Sequence, residues 1–357
     1  MAKALSLAKK SQGKARPNPS VGAIIVKNEK IVGKGFHKIS GQDHAEIISL
    51  KEAGALAKGA DLYVTLEPCS HQGKTPPCVK SIVSSGIINV YIAMTDPNPL
   101  VSGSGIDYLK KNGLNVILGI MEEEAKKLNL GFINRMINSR PYIRSKIAVS
   151  LDGKTSLQNG KSRWITSKSS RVDVQKWRLK SCAILTGKGT INIDDPSLSI
   201  RDISSKNQPL RIILDSYLRI NPDAKILQQN NVMVIYGKDQ NLNLTRLKKT
   251  KAKLKKLSLF NNKIDLIELM GYLNKIEINE LLVEAGPELN GELLKLGLLD
   301  EIITYMAPYI MGGGANSMFN APILKNMKNK IKLSVVDFRN IGEDIRIQAK
   351  LSKNDVG

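Results

Sequence analysis

The sequence predicts an α/β protein in two halves. Three observations lead there. Short β-rich runs alternate with helical patterns from Val21 to about Asn138. A second series of the same kind opens at "YIRSKIAVSLDGKT", just past Pro141. The 357 residues give room for two or three domains.

The elements follow in chain order. Leu5 and Ala8 sit on a short amphipathic helix. "VGAIIVKNEKIVGKGFH" reads as a hairpin turning at Asn28-Glu29. "HAEIISLKEAGALAKG" has helical spacing and a glycine stop, and "DLYVTL" is a strand. "PPCVKSIVSSG" is a helix with its prolines at the start. "INVYIAM" is a strand, "GSGIDYLKKNG" a helix and "LNVILG" a strand. "MEEEAKKLNLGFINRMIN" is one helix with acidic residues in its first turn. This alternation implies an α/β/α layered sandwich. "NSRPYI" is the joint, and the second half carries strands at "CAILTG", "LRIILDS", "NVMVIYG", "ELLVEAG" and "DEIITYMAP". The lysine-rich stretch near residues 246–263 is expected to be surface helix and loop.

Composition narrows the function classes. The formal net charge is +22, which raises a nucleic-acid partner. The positive charge is spread along the chain, and its densest run, "TRLKKTKAKLKKLSLFNNKID", lacks interleaved aromatics. A lysine-rich compositional habit is the preferred reading, with an anionic, phosphorylated substrate as a second contribution. No run reaches the ~18 apolar residues of a membrane span, and the basic N-terminus lacks the apolar core of a secretory signal. A soluble cytoplasmic protein without structural disulfides is therefore expected.

The chain has only three His and three Cys, yet His44, Cys69 and Cys78 lie close together in sequence with Glu46. His44 opens a helix, Cys69 follows a strand, and Cys78 begins the next helix, where the dipole favours a thiolate. One imidazole and two thiolates form a three-ligand zinc set with a fourth position open for water. Glu46 is placed to carry a proton without ligating the metal, as in zinc base deaminases. His71 is an alternative ligand, though a polar or substrate-contacting role is preferred. Cys182 reads as core. A structural zinc domain and a nucleic-acid base deaminase, such as a tRNA editor, are the rival functions.

The segments "HAE" and "TLEPCSHQGKTPPC", with "PNPSVGAIIV" before and "DPNPLVSGSGI" after, resemble the bifunctional riboflavin-biosynthesis deaminase–reductases. The eight residues between Cys69 and Cys78 are more specific than the general P-C-x-x-C pattern. The resemblance covers nearly the whole chain. It implies a cytidine-deaminase-like α/β/α sandwich over residues 1–140, which deaminates 2,5-diamino-6-(5-phosphoribosylamino)pyrimidin-4(3H)-one to 5-amino-6-(5-phosphoribosylamino)uracil. It also implies that Asn18 helps hold the pyrimidine; turn chemistry between two prolines competes with that role. Similar proteins carry several more residues before the first helix, so the start of the chain is expected to be shortened or misassigned.

The second half lacks a G-x-G-x-x-G fingerprint and a P-loop. Gly286 and Gly291 flank a helix start able to bind an anion, and "MGGGA" is a flexible loop; each alone could be only a turn. With "KIAVSLDGKT", "SRWIT", "LTGKGTINIDDPSL" and "VEAGPELNG", they resemble the reductase half of the same family. That likeness implies a dihydrofolate-reductase-like α/β domain over residues 141–357, which uses NADPH to reduce the ribosyl group to a ribityl chain. It places Ala148, Trp164, Thr190, Asp194, Ser216 and the segment Gly286, Pro287, Glu288, Leu289, Asn290, Gly291 and Glu292 at the cofactor. It places Ser162, Arg178, Leu198, Arg201 and Glu284 at the substrate, with Arg178 and Arg201 as phosphate clamps. Without the likeness those arginines would read as surface charge, and Asp152-Gly153 as a turn. The implied partners are a phosphorylated pyrimidine and further copies of the chain, with neither nucleic acid nor membrane.

Overall fold

The computed structural model describes residues 1–73, 75–99, 101–201, 207–240, 242–321 and 324–352. It divides into two compact units, Met1–Arg140 and Pro141–Gly357.

The first unit contains α1 (Ala2–Lys9), β1 (Gly22–Lys27), β2 (Lys30–Phe36), α2 (Ala45–Ala53), β3 (Asp61–Val64), α3 (Cys78–Ser84), β4 (Asn89–Ile92), α4 (Ser104–Lys111), β5 (Asn115–Leu118), α5 (Glu122–Leu128) and α6 (Leu130–Asn138). Its five strands run in the order β2-β1-β3-β4-β5. The β1–β2 hairpin turns on Asn28 and Glu29, both at positive φ, which is the backbone a two-residue hairpin demands. β3, β4 and β5 are parallel.

Glycines set how closely the helices approach. A Cβ at Gly22 would lie 2.1 Å from the Ala4 carbonyl oxygen of α1. One at Gly35, which pairs with Ala23 on the other face, would lie 2.0 Å from the Ala45 oxygen of α2. The two helices therefore press on opposite faces of one hairpin, giving the α/β/α layers. Ala23, Ile25, Leu62, Val64, Val90 and Ile92 fill the core.

Two expectations change here. The helix beginning at Ala45 stops at Gly54, where φ is +53°, rather than at Gly59. The expected single helix near the end of the unit is two, broken at Asn129. That buried side chain accepts from the Ser20 N–H at 2.7 Å and donates to the Ser20 carbonyl at 3.1 Å. A contact between residues so distant in sequence overrides local helical pattern.

The second unit contains β6 (Tyr142–Ser150), β7 (Lys154–Ser156), α7 (Lys168–Lys180), β8 (Ala183–Gly187), α8 (Lys188–Asp194), β9 (Leu210–Leu214), β10 (Val232–Tyr236), α9 (Leu244–Leu247), β11 (Lys253–Lys256), β12 (Leu259–Phe260), β13 (Lys263–Ile264), α10 (Leu266–Lys275), β14 (Glu280–Val283), α11 (Pro287–Lys295), β15 (Glu301–Ala307), β16 (Asn316–Ser317), β17 (Leu333–Ile341) and β18 (Asp344–Leu351). Nine strands form one sheet, β11-β10-β9-β8-β14-β6-β15-β18-β17. It is parallel from β11 to β15, and β18 and β17 add an antiparallel edge. Apolar clusters cover both faces, which is why its central strands read as continuous apolar runs.

The lysine-rich stretch holds a strand as well as helix and loop. β11, "KLKK", pairs with β10 at one sheet edge, where lysines discourage edge-to-edge association.

Gly35→Ala is expected to lower the stability of the first unit by at least about 2 kcal/mol, because the new methyl overlaps helix backbone. Thermal unfolding followed by circular dichroism checks this; an unchanged midpoint would show that α2 is not held by this approach.

Candidate functional site

In the first unit, the ends of β-strands deliver two helix starts to one point. His44 caps the N-terminus of α2 in extended conformation, and Cys78 is the first residue of α3, behind Pro77. Cys69 follows the end of β3, and its sulfur accepts the Cys78 N–H at 3.4 Å. His44 Nδ1 lies 3.6 Å from Cys69 Sγ and 3.3 Å from Cys78 Sγ. All three donor atoms fall within 4.8 Å of one another. Metal–ligand bonds of about 2.0–2.3 Å in a tetrahedron require donor separations of roughly 3.3–3.8 Å. The donor set and its spacing therefore fit zinc, and among the described residues no other such cluster occurs. His71 is not a member.

The charges suit the same ion. The hydrogen bond from Cys78 pulls the Cys69 thiol down to about 4, against the opposing effect of burial and with help from His44. Cys78 is pushed up by its partner sulfur and by burial. Binding of a cation between the two sulfurs releases their protons. With Nδ1 turned to the sulfurs, His44 Nε2 meets the Thr75 hydroxyl at 3.3 Å, a contact that fixes the ring.

Glu46 stands in the first turn of α2, 3% exposed and outside the donor triangle. Burial, then the Cys69 charge, pushes its carboxyl up to about 7. A carboxyl there can both accept and release a proton near neutral pH.

Three further groups were not singled out from sequence. His37 is buried, with Nδ1 3.2 Å from the Asp43 carbonyl and Nε2 3.0 Å from Asn18 Nδ2. Nδ1–H donates to that carbonyl, so Nε2 accepts from the Asn18 amide and orients it. The His37 ring meets His44 edge-on, with centroids 5.1 Å apart. Asn18 is thereby placed beside the metal triangle. Glu67 accepts four backbone N–H groups, from Asp96, Gly103, Gly105 and Ile106, at 2.9–3.3 Å. It staples the "DPNP…GSG" loop to the strand end that carries Cys69. Asp96 is buried beside it, and burial raises its carboxyl to about 6. The scarcity of histidine was the available signal for His37; Glu67 offered none.

The second unit gathers its expected residues at the carboxyl ends of parallel strands, where open α/β sheets bind ligands. Glu284 follows β14. Its carboxylate receives Arg178 through Nε at 2.6 Å and Nη2 at 2.9 Å, and Lys146 Nζ lies 3.8 Å away. Arg178 also donates to the Ser199 carbonyl at 2.8 Å, next to buried Leu198. Arg178 is buried, and in this structure its guanidinium serves Glu284 and the Ser199 carbonyl. Arg201 is exposed, with its backbone N–H bound by Gln175. Burial opposes ionisation of Glu284, but Arg178 and Lys146 outweigh it and hold the carboxyl low. Burial lowers the Lys146 ammonium despite Glu284. Lys146, on β6, was missed because one lysine among many carries no sequence signal.

The other residues separate into groups. Ser162 donates to Asp194 at 3.2 Å, and Arg163 pairs with the same carboxylate at 3.3 Å. Trp164 is 64% exposed with the Arg171 guanidinium 4.4 Å above its ring. Thr190 lies on α8, Ala148 near the end of β6, and Ser216 just past β9, where its hydroxyl accepts the Ile264 N–H at 3.2 Å. Gly286 caps α11, with Pro287 and Glu288 in the first turn. Of the rest of that segment, Leu289, Asn290 and Gly291 face the protein, and Glu292 is partly exposed. Leu289 packs on the core, and the Asn290 amide binds the Ser145 hydroxyl and the Ala285 carbonyl. A Cβ at Gly291 would lie 2.2 Å from the Asn320 oxygen, and Glu292 pairs with Lys263 at 3.5 Å. The Asp152 carboxylate, which without the likeness would read as part of a turn, accepts the N–H groups of Met311 and Gly312 at 3.1 and 2.9 Å.

Comparison with known proteins bears on both units. Residues 1–94 match the cytidine and deoxycytidylate deaminase zinc-binding region, and residues 141–347 match the RibD C-terminal domain. The chain is 42% identical to the riboflavin biosynthesis protein RibD of Buchnera aphidicola subsp. Baizongia pistaciae, over 97% of this chain and 96% of the relative. It is 40% identical to the RibD of Escherichia coli, with 97% and 96% covered. A solved RibD structure from Acinetobacter baumannii superposes with TM-score 0.91 at 40% identity, covering 98% of this chain and 97% of that one. A diaminohydroxyphosphoribosylaminopyrimidine deaminase/5-amino-6-(5-phosphoribosylamino)uracil reductase structure from Thermotoga maritima gives 0.87 at 33% identity, covering 99% and 97%.

Glu284→Gln is expected to destabilise the second unit by about 3 kcal/mol or more, since it leaves Arg178 and Lys146 buried without their counter-charge. Denaturant unfolding checks it; a cost below about 1 kcal/mol would mean the two cations are not held by this carboxylate.

Proposed function

The chain belongs to the RibD family of bifunctional riboflavin-biosynthesis deaminase–reductases, and we propose the following division of labour among its residues. The first unit deaminates 2,5-diamino-6-(5-phosphoribosylamino)pyrimidin-4(3H)-one. The second reduces the resulting 5-amino-6-(5-phosphoribosylamino)uracil to its ribityl form. The single observation that carries this reading is the triangle of His44, Cys69 and Cys78 with Glu46 buried beside it but not in it.

Zinc, held by those three side chains, supplies the acidification of a water molecule. Glu46 takes the proton from the attacking water and passes it to the departing amino group. A C–O bond forms at the ring carbon, the C–N bond breaks, and ammonia leaves. The raised affinity of Glu46 for a proton suits it to both transfers. Asn18, oriented by His37, holds the ring. Asp96, on the loop fixed by Glu67, faces the same site.

In the second unit NADPH supplies the hydride that arrives at C1′. The N-terminus of α11, from Gly286 to Glu288, is suited to the cofactor's anionic groups, and Ser162, Asp194 and Trp164 form a second contact region. Arg201 is the exposed cation for the substrate phosphate. One proton must accompany the hydride, and we assign it to the Lys146–Glu284 pair, where burial eases release from the amine.

The ligands are thus small molecules rather than nucleic acid. No helix of the described residues is long and apolar enough to cross a membrane. A homo-oligomer is supported by β17. This edge strand exposes Leu333, Val335, Val336 and Phe338 by 43–62%, a run of apolar side chains that monomers seldom leave open.

Glu46→Gln should retain one zinc per chain by elemental analysis and lose about 10²- to 10⁴-fold in ammonia release, while reduction of supplied 5-amino-6-(5-phosphoribosylamino)uracil continues. Ammonia release at the wild-type rate would remove Glu46 from the reaction. Phe338→Lys should shift sedimentation toward the monomer; an unchanged assembly would place the interface elsewhere.

A further inference from the structure

Trp164 is 64% exposed, whereas Trp177, the other tryptophan of the chain, is buried with its indole N–H on the Tyr305 hydroxyl. A bulky ring is thus left in water, yet the backbone beside it is held one peptide after another. The Tyr309 hydroxyl shares its proton between the carbonyls of Trp164, at 3.2 Å, and Ile165. Arg171 donates to the Thr166 carbonyl at 2.7 Å. The Ser167 N–H donates to the Asp344 carboxylate at 2.8 Å. Three successive peptide groups are bound in this way by side chains from separate parts of the fold: the loop after β15, α7 and the start of β18. Ile165, buried, anchors the same stretch.

Asp344 is the least replaceable of these ties. It is 1% exposed, and its Oδ2 accepts from the Ser167 N–H, the Ser167 hydroxyl at 2.7 Å and the Ser170 hydroxyl at 2.6 Å. Its Oδ1 is buried with no hydrogen-bond partner, which is costly for a carboxylate. All the bonding this buried acid achieves is therefore directed at the entry to α7. That entry already has an N-cap in Ser167, which accepts the Ser170 N–H, so starting the helix does not require Asp344. The turn before Asp344 presses on the same place: a Cβ at Gly342 would lie 2.9 Å from Ser169 Oγ.

Ordering a segment costs conformational entropy, and here that cost is met around a side chain that contributes little to the core. An exposed aromatic ring on a fixed backbone is a pre-organised contact for something else. The Arg171 guanidinium, 4.4 Å over the ring, steadies the side chain as well. A flat π-face beside cations suits the rings and phosphates of a dinucleotide.

We propose that Tyr309 and Asp344 are positioning residues for the reductase cofactor: they fix the backbone of residues 164–167 so that the Trp164 ring meets NADPH in one place. The proposal rests on the reading of Trp164 as a cofactor contact. Neither residue touches the reacting atoms; both act through Trp164.

The test is steady-state NADPH oxidation by the full zinc-loaded chain with 5-amino-6-(5-phosphoribosylamino)uracil. Tyr309→Phe removes only the hydroxyl, from a side chain at the surface. Its KM for NADPH should rise about fivefold, with kcat at saturating NADPH changed less than about twofold and KM for the pyrimidine unchanged. Asp344→Ala should raise KM for NADPH at least as much. Asp344→Asn should restore it, because the amide oxygen can replace Oδ2 while the NH₂ takes the place of the unpartnered Oδ1. Acrylamide quenching separates the emission of exposed Trp164 from that of buried Trp177, and the Trp164 emission should lose anisotropy in Tyr309→Phe. Unchanged KM for NADPH in both Tyr309→Phe and Asp344→Ala would overturn the proposal. So would a rise in KM for the pyrimidine instead, or a fall in kcat that Asp344→Asn does not reverse, which would mark a structural role only. Trp164→Ala tests the underlying reading separately: if KM for NADPH does not rise in that variant, Trp164 is not a cofactor contact and the positioning role falls with it.

Discussion

The constraint on which the first unit depends is the meeting of two helix N-termini at one metal-sized triangle. Three donors within 4.8 Å leave little tolerance, because a thiolate displaced by an ångström no longer reaches the ion. The fold meets this demand with backbone rather than with side chains. Gly33 and Gly35 let α2 lie directly on the β1–β2 hairpin, where a methyl at either position would overlap the helix backbone. That close approach fixes where α2 begins and therefore where His44 and Glu46 stand. The Cys78 N–H bound to the Cys69 sulfur does the same for α3. Glu67 then holds the neighbouring loop with four N–H groups, and Gly105 is needed there because a Cβ would lie 2.2 Å from the Pro68 oxygen.

The second unit solves a different problem, that of keeping ionic groups at the carboxyl end of a sheet covered on both faces. Charges in such a place must be compensated. There Glu284 receives Arg178 and Lys146, and at the amino ends of the strands Arg144 on β6 bridges Glu280 and Glu301 at 2.8 Å each. A buried network joins Trp177, Tyr305, Asp173 and Arg346 across α7, β15 and β18. These pairs hold the strands that carry the site.

Much of this was legible in the sequence because the decisive residue types are scarce. Three histidines and three cysteines cannot cluster without drawing notice, and period-two and helical spacing located most strands and helices. What was not legible depends on contacts between distant residues. Asn129 breaks a helix because Ser20 claims its amide. Glu67 acts through backbone donors 29 to 39 positions away. The β17–β18 hairpin was unseen because β17 is exposed along most of its length, so alternation is blurred. That Arg178 pairs with Glu284 across 106 positions was not legible, because nothing local reports it. Local pattern reports which element forms; it does not report which polar group the element is built to satisfy.

The central claim is a zinc ion bound by one imidazole and two thiolates, with Glu46 adjacent and not bound. X-ray absorption at the zinc edge of the purified, metal-loaded chain tests it most directly. The account predicts two sulfur neighbours at about 2.3 Å and two lighter ones at about 2.0 Å, with the spectrum of Glu46→Gln unchanged in its first shell. A shell with a third sulfur, or with none, or one that loses a light neighbour when Glu46 is replaced, would contradict it.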